Sequence, residues 1–535
     1  VSKSYLQVVI FIRVFKVVPG MTDIKLDPLR LYNYLNVKTF FRVRWTNSDS
    51  FGKTIPQIRF GDNSVCKTFI AFFSGFAFLV SPLVSVAQVG PFDVAINNGR
   101  VIDPQSGLDA SRHIGIIAGR IVAISETALR GDREIDASGL VVAPGFVDIH
   151  AHGQSEEAYR LMVQDGVTSG FELEIGTDQV GEWYRDRAGG QVLNYGISIG
   201  HIAVRMALFD DPGRFLPTGP GGSSIAGPPI MDRMAEMMRQ GFGEGAVAMG
   251  FGLAYTPAAT EAEFEAMLEI ATEVGASAHI HTRGGLDGLR QIVASGAETE
   301  TPLHIVHANS SGGSSFNEFL AIIQSARDAG QDVTTEMYPY GASYSDIASA
   351  LFDNWETWEE DRFARNMWVE TGERLTRESF ARYRQIGGGV ITFSRTEEMT
   401  RTALKNPLMM IASDGRILNG KGHPRSSGTY AKVLGQYVRE ENIIDLMDAL
   451  RRMTIEPARR LEAFVPTMRN KGRLQIGADA DITIFNAGTV IDQSTYTDPL
   501  QPSLGIEFVL VNGGIVLDNG VLDPTTRTGV AIRSN

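Results

Sequence analysis

Val147-Asp148-Ile149-His150-Ala151-His152-Gly153, preceded by Val141-Val142-Ala143-Pro144-Gly145-Phe146, decides how this chain is read. Side chains alternate across a strand, so His150 and His152, two residues apart, share one face. Two imidazoles side by side at the end of an apolar strand suit a divalent metal. Further ligands, a base and a substrate clamp then have to come from other strands that end beside this one.

Working outward, residues 144–470 alternate short apolar runs with helix-compatible segments. The runs are FVDIHAH, SGFELEI, YGISIGHI, GAVAMGF, SAHIHT, LHIVHA, DVTTEMYPY and LMMIASD, separated by stretches such as EAEFEAMLEIATEVG (261–275) and FNEFLAIIQSARDAG (316–330). Eight such units predict an α/β protein with a metal-dependent (β/α)8, TIM-like barrel. The segment exceeds the roughly 250 residues usual for that fold. The excess, about 346–406, is rich in Trp, Arg and Glu and falls between strands seven and eight, where an insertion is placed at the catalytic mouth as a lid. Residues 88–143 and 471–535 instead read as short strands with hairpin signals such as Asn97-Asn98-Gly99 and Asn512-Gly513-Gly514. They predict a small β-sandwich built from both ends of the mature chain, with His113 as a surface residue of it.

The formal charge of −13 over 535 residues is uneven: residues 1–87 carry 11 Lys and Arg against 4 Asp and Glu, which leaves a net −20 for the rest. An acidic body argues against nucleic acid as a partner. Residues 69–87, FIAFFSGFAFLVSPLVSVA, are uncharged, follow Lys67 and end in Ser85-Val86-Ala87. That pattern predicts a signal peptide over 65–87 and a periplasmic or secreted product without stable membrane association after cleavage; a membrane anchor is the competing reading. Residues 1–64 do not read as the start of an exported protein and are taken as a non-native upstream extension. Cys66, the one cysteine, falls in this leader. The mature chain therefore offers neither a disulfide nor a thiolate ligand.

Catalytic groups of such barrels gather at the C-terminal ends of the strands. Those ends carry His150 and His152, Glu172 and Glu174, His201, His281, His307, Tyr338 and Asp414. His and carboxylates on a rigid frame are zinc ligands by type. His279 faces the same way as His281, whereas His304, three residues before His307, is expected to face away in a structural role.

The stretches APGFVDIHAH, GLAYTP (252–257), HTR (281–283), IVHANSS (305–311) and MYPYGAS (337–343) resemble the amidohydrolase superfamily, and within it the N-acyl-D-amino-acid deacylase (D-aminoacylase) family. The most specific are SDG (413–415) followed in register by HPRSSGTYAKVLGQYVRE (423–440), and ADADITIF with TYTDPLQPSLGIEFVLVNGG near the end. The resemblance covers about 92–520. It implies metal positions at His150, His152, His281, His307 and Asp414, with Asp414 also moving the proton from the attacking water to the leaving nitrogen. It further implies that Arg425 clamps the substrate α-carboxylate, helped by Tyr338, Tyr255 and Ser343, and that His201 orients a ligand from behind.

Two departures from the family pattern matter. No lysine occurs between Lys67 and Lys405, so a carbamylated lysine on strand four is excluded. The strand-two cysteine common in D-aminoacylases is also missing, and Glu174, nearer the strand's end, is the expected replacement with Glu172 as the alternative. Asn309 stands where the family has a lysine after the strand-six histidine. The resemblance implies one or two Zn2+, the better-held ion resting on Glu174, His281 and His307, and hydrolysis of small N-acyl-D-amino acids. Hydrolysis of cyclic amides or dipeptides, and a secreted binding module without catalysis, are the alternatives. Oligomeric state is not legible.

Overall fold

The computed structural model describes residues 91–534; the expected upstream extension at 1–64 and the signal peptide at 65–87 lie outside the described residues. Eight parallel strands pair in chain order: Phe146–Asp148, Val167–Thr177, Asn194–Gly200, Met249–Gly252, Ala278–His281, Leu303–Ile305, Val333–Met337 and Met409–Ile411. These are barrel strands one to eight, and all eight apolar runs read from the sequence are among them. Alternation sorts their side chains. Val147, Ile149, Phe171 and Leu173 point outward into a cluster with Ala458 and Leu461 of the helix Ile455–Glu462. Asp148, His150, Glu172 and Glu174 take the opposite, inward face. The outer helices are cut by local signals: in Glu261–Val274, Thr260 accepts from the Glu263 amide, Gly275 ends the helix at φ +78°, and Phe264, Met267, Leu268 and Ala271 form the buried stripe.

Strands one and eight are three residues each and share no regular ladder, so the ring closes by other means. Ala151 bridges Gly415, and the Asp414 amide donates to the His150 carbonyl at 2.7 Å. The buried Asp148 carboxylate accepts from the amides of His150 at 3.1 Å and Ser413 at 3.2 Å. Burial pushes its pKa up to about 6. One side chain thus sews the first strand to the last, next to the two histidines.

The second domain joins both ends of the described chain. Phe92–Asp103 pairs antiparallel with Leu108–Ile117 and carries a bulge between Ile96 and Gly99. The bulge divides its other edge between Gly131–Asp136 and Val141–Pro144. Val141–Pro144 then pairs with Ile482–Phe485, and the sheet continues through Ile506–Val511, Gly514–Asp518 and Val521–Leu522. Gly99 is required at the bulge, because a Cβ there would lie 2.4 Å from Val142 Cγ2. His113 is buried rather than on the surface: its Nδ1 accepts from the Asn98 amide at 3.2 Å, inside the bulge.

Three boundaries differ from expectation. Residues from Gly529 on leave the β-domain: the Gly529 amide donates to the Gln191 carbonyl at 2.9 Å, the Ile532 amide donates to the Tyr195 carbonyl at 2.8 Å, and the Ile532 carbonyl accepts from Tyr184 at 2.6 Å. Burial of Ile532 against the outward face of strand two draws this tail to the barrel. The stretch 486–505 also crosses to the barrel, where Ser503 donates to Asp165 at 2.7 Å and Ser427 donates to the Pro499 carbonyl at 2.8 Å. The insertion begins at Ala342, not 346, since Ala342–Asp346 pairs with Gly389–Phe393, which also pairs with Asn366–Trp368. Trp355, Trp358 and Trp368 pack in the insertion's own apolar core with Phe352, Phe363 and Phe380. Among the described residues no helix is long and apolar enough to cross a membrane.

Replacing Asp148 with alanine leaves two buried amides without an acceptor, a loss of about 3 kcal/mol. Asp148→Asn, which keeps the Oδ1 acceptor, loses less. Urea unfolding of both variants checks this, and an unchanged midpoint for Asp148→Ala would mean that the seam is held by something else.

Candidate active site

The strand ends converge on Glu174. Its Oε2 lies 2.8 Å from His150 Nε2, 3.6 Å from His307 Nε2 and 3.8 Å from His152 Nε2, and its Oε1 lies 3.0 Å from His281 Nδ1. Burial opposes charge on this carboxyl, but His281, His150 and His307 hold it well below the usual carboxylate range. Glu172, on the same strand face, is turned to the rear of the cluster: it accepts from His152 Nδ1 at 2.5 Å and from the Ile175 amide at 3.0 Å. Of the two candidates it is therefore Glu174 that lies among the imidazoles.

The donor set fits a divalent cation. Nδ1 of His150 is hydrogen-bonded to Glu336 and Nδ1 of His152 to Glu172, so each ring presents its Nε2 to the cluster. Those two Nε2 atoms face each other across 3.1 Å, as do His281 Nδ1 and His307 Nε2. Imidazole nitrogens gathered beside a buried carboxylate make a ligand set suited to a divalent cation, and carboxylates behind metal-ligating histidines fix the ring orientation. Three groups have donor atoms within 4.8 Å of one another: His150, His152 and Glu174; His150, His307 and Asp414; and Glu174, His281 and His307. Glu174, His150 and His307 each belong to two of them.

Asp414 and His307 both adopt left-handed backbone, at φ +50° and +35°. Non-glycine residues in that region are uncommon and cluster at functional sites. Asp414 Oδ1 lies 3.2 Å from His152 Nε2 and 2.8 Å from Arg425 Nη2. Although burial works against it, Arg425 and His150 hold the Asp414 carboxyl below its ordinary value. Arg425 is itself buried, 4.3 Å from the Tyr338 ring centroid, and its Nε and Nη1 have no hydrogen-bond partner. Asn309 donates to the Tyr338 carbonyl at 3.0 Å. A cation nevertheless reaches this corner from the insertion: Arg395 donates to the Tyr338 hydroxyl at 2.6 Å and to Ser310 at 3.0 Å.

A cavity of about 440 Å³ opens over the cluster, and Glu174, His281, His307, Asp414, Tyr255, Tyr338 and Ser343 are on its wall. Tyr255 sets its ring edge-on to His281 with centroids 4.8 Å apart. The insertion contributes Tyr344, Ser345, Leu351 and Phe352, so it forms one side of the cavity.

Several sequence expectations are revised. His201 opens the helix His201–Leu208 and bonds Glu263 at 2.8 Å beside Arg205, in a buried trio that touches none of the clustered histidines. His304 does not face away: its Nε2 lies 3.5 Å from Glu336 Oε2, because the left-handed turn at His307 breaks the strand alternation. His279 meets Ser277 at 3.2 Å and packs on His304, leaving His281 as the strand-five member of the cluster. Glu336, Arg395 and Arg416 were missed. The period-two pattern of Val333–Met337 places Glu336 on one face with Thr334, a signal available in the sequence; Arg395 and Arg416 carried none.

Comparison with known proteins agrees with this geometry. The profile of the amidohydrolase family matches residues 141–516. The chain is 29% identical to an N-acyl-D-glutamate deacylase of Alcaligenes xylosoxydans xylosoxydans, over 82% of this chain and 96% of that one. It is 28% identical to a D-aminoacylase of the same organism, over 81% and 96% of the two chains. Among solved structures, the N-acyl-D-glutamate deacylase of Bordetella bronchiseptica, complexed with zinc and a phosphonate inhibitor that mimics the reaction's tetrahedral intermediate, superposes with a TM-score of 0.72 at 26% identity, covering 83% of this chain and all of that one. The chain belongs to the amidohydrolase family, as a metal-dependent hydrolase of amide bonds akin to the D-aminoacylases.

Proposed function

We propose that the protein is a zinc-dependent deacylase that cleaves N-acyl-D-amino acids into a carboxylate and a free D-amino acid. The observation that carries this reading is the pairing of a cation-ready cluster around Glu174 with Asp414 and a half-satisfied, buried Arg425. Relatives named as deacylases of N-acyl-D-amino acids, one of them complexed with zinc, support the substrate class and the metal.

His150, His152, Glu174, His281, His307 and Asp414 would hold the metal, and an all-imidazole and carboxylate donor set suits zinc. When bound, the metal supplies Lewis acidity to the acyl carbonyl and to the attacking water. Asp414 accepts the proton of that water and delivers it to the departing nitrogen. Arg425 receives the substrate α-carboxylate at Nη1, beside the Nη2 that meets Asp414, a charge-assisted contact for which guanidinium is suited. Sharing Arg425 with the substrate weakens its hold on Asp414, which moves that carboxylate toward a usable base. Tyr338, flanked by Arg425 and Arg395, lines the same corner, with Tyr255 and Ser343 completing the wall.

Purified enzyme assayed against N-acetyl-D-amino acids, their L-enantiomers, dipeptides and hydantoins is expected to release amino acid from the D-series, with zinc found by elemental analysis; turnover confined to hydantoins or dipeptides would replace this reading. Asp414→Ala is expected to keep the metal held by Glu174, His281 and His307 while kcat falls by about 10^3 to 10^4. Normal turnover in that variant would remove Asp414 from the proton path. Glu336→Gln, which loosens His150 from behind, is expected to weaken metal affinity about 10- to 100-fold, read by competition with a chromogenic chelator.

A further inference from the structure

Arg416 is a cation on the cavity wall with no counter-charge among the described residues. It follows Asp414 by two residues in the loop leaving strand eight, and it is partly buried. Its guanidinium stacks 3.7 Å from the ring centroid of Phe215 and lies 5.8 Å from that of Tyr344. Phe215 in turn stands edge-on to His152, with centroids 5.4 Å apart. The backbone here is tightly placed: a Cβ on Gly422 would come within 2.2 Å of the Arg416 carbonyl.

Its surroundings differ from those of the other arginines at this site. Arg283, on the same wall, donates to the carbonyls of Thr256 and Ala259. Arg425 is engaged with Asp414, and Arg395 with Tyr338 and Ser310. Among the described residues Arg416 has no carboxylate within ion-pair distance and no hydrogen-bond acceptor; its two contacts are aromatic faces. Stacking holds a guanidinium in place while leaving its N–H edge open, the geometry that takes a planar carboxylate in two parallel bonds. A partly desolvated charge left without a counter-charge is unfavourable, and a bound anion removes that penalty.

We propose that Arg416 is a specificity-determining residue that binds a second carboxylate of the substrate, carried either by the amino-acid side chain or by the acyl group. The proposal rests on the deacylase reading, in which Arg425 takes the α-carboxylate at the Tyr338 corner. Arg416 belongs to the Phe215 and His152 side, so the two guanidinium groups serve different ends of one ligand.

The test compares each charged substrate with a neutral partner of similar size: N-acetyl-D-glutamate with N-acetyl-D-glutamine, and N-succinyl-D-alanine with N-butyryl-D-alanine. The expected result is a preference in kcat/KM of about 30-fold for the charged member of one pair, of the size that one charge-assisted contact supports. Which pair shows it identifies the source of the carboxylate. Arg416→Gln should bring that ratio close to one, and Arg416→Lys should keep part of it. A wild-type enzyme indifferent to the charge, or an Arg416→Gln variant that keeps the preference, overturns the proposal. If the metal-replete enzyme turns over none of these compounds, the deacylase reading fails on its own. Arg416 is then judged by calorimetry with the same two pairs: discrimination lost in Arg416→Gln supports the site, and equal affinities overturn it.

Discussion

A deeply buried carboxylate is the constraint on which this structure turns. Glu174 is 2% exposed, and an ion so placed is tolerated only where opposite charge and hydrogen-bond donors surround it. Its partners come from strands one, five and six, so its charge is balanced only when all of these strands reach the same depth in the ring. The barrel and the cluster are in this sense one object: a slip by one residue in strand two would exchange Glu174 for Leu173 or Ile175 on the inward face and leave the imidazoles without their anion.

The same logic extends outward through a second layer of buried carboxylates. Glu336 receives the Nδ1 proton of His150 and the amide of His307, so one side chain on strand seven steadies histidines from strands one and six. Glu172 does the corresponding work for His152. Asp148 holds the backbone on either side of the closing seam, which fixes His150 relative to Asp414. Each acid is buried and each is answered by donors from a different strand. That arrangement lets a ring built from strands as short as three residues present its histidine nitrogens and carboxylate oxygens within a few ångströms of one another.

Much of this was legible in the chain itself, and the reasons are local. The His150 and His152 pair, the short apolar runs and the SDG and HPR stretches all write their meaning within a few residues, where strand alternation and turn chemistry act. What escaped was decided by distance. Glu336 sits in a run with no motif, and its importance appears only when strand seven is laid between strands six and eight. His304 keeps a structural place but turns inward, because a left-handed turn two residues beyond the strand altered the count. The choice between Glu172 and Glu174 depends on where a backbone register shift falls, which no period-two pattern reports. Arg395 reaches Tyr338 from 57 residues away.

The insertion between strands seven and eight shows why such distant partners accumulate at one mouth. Its three tryptophans pack with Phe352, Phe363 and Phe380 in a core of its own, which makes it a packed unit rather than a loose flap. A packed unit can carry polar groups to the cavity, and this one carries Arg395, Tyr344 and Ser343 there. The loop after strand eight meets it from the other side with Asp414, Arg416 and Arg425. Chemistry and selectivity can then vary separately: the inward faces of the strands hold the cluster, while the insertion and this loop shape what reaches it. Arg425 couples the two, since the guanidinium that contacts Asp414 also packs on Tyr338. A ligand that draws on Arg425 therefore acts on the carboxylate at the reacting centre, and recognition of the substrate becomes part of preparing the base.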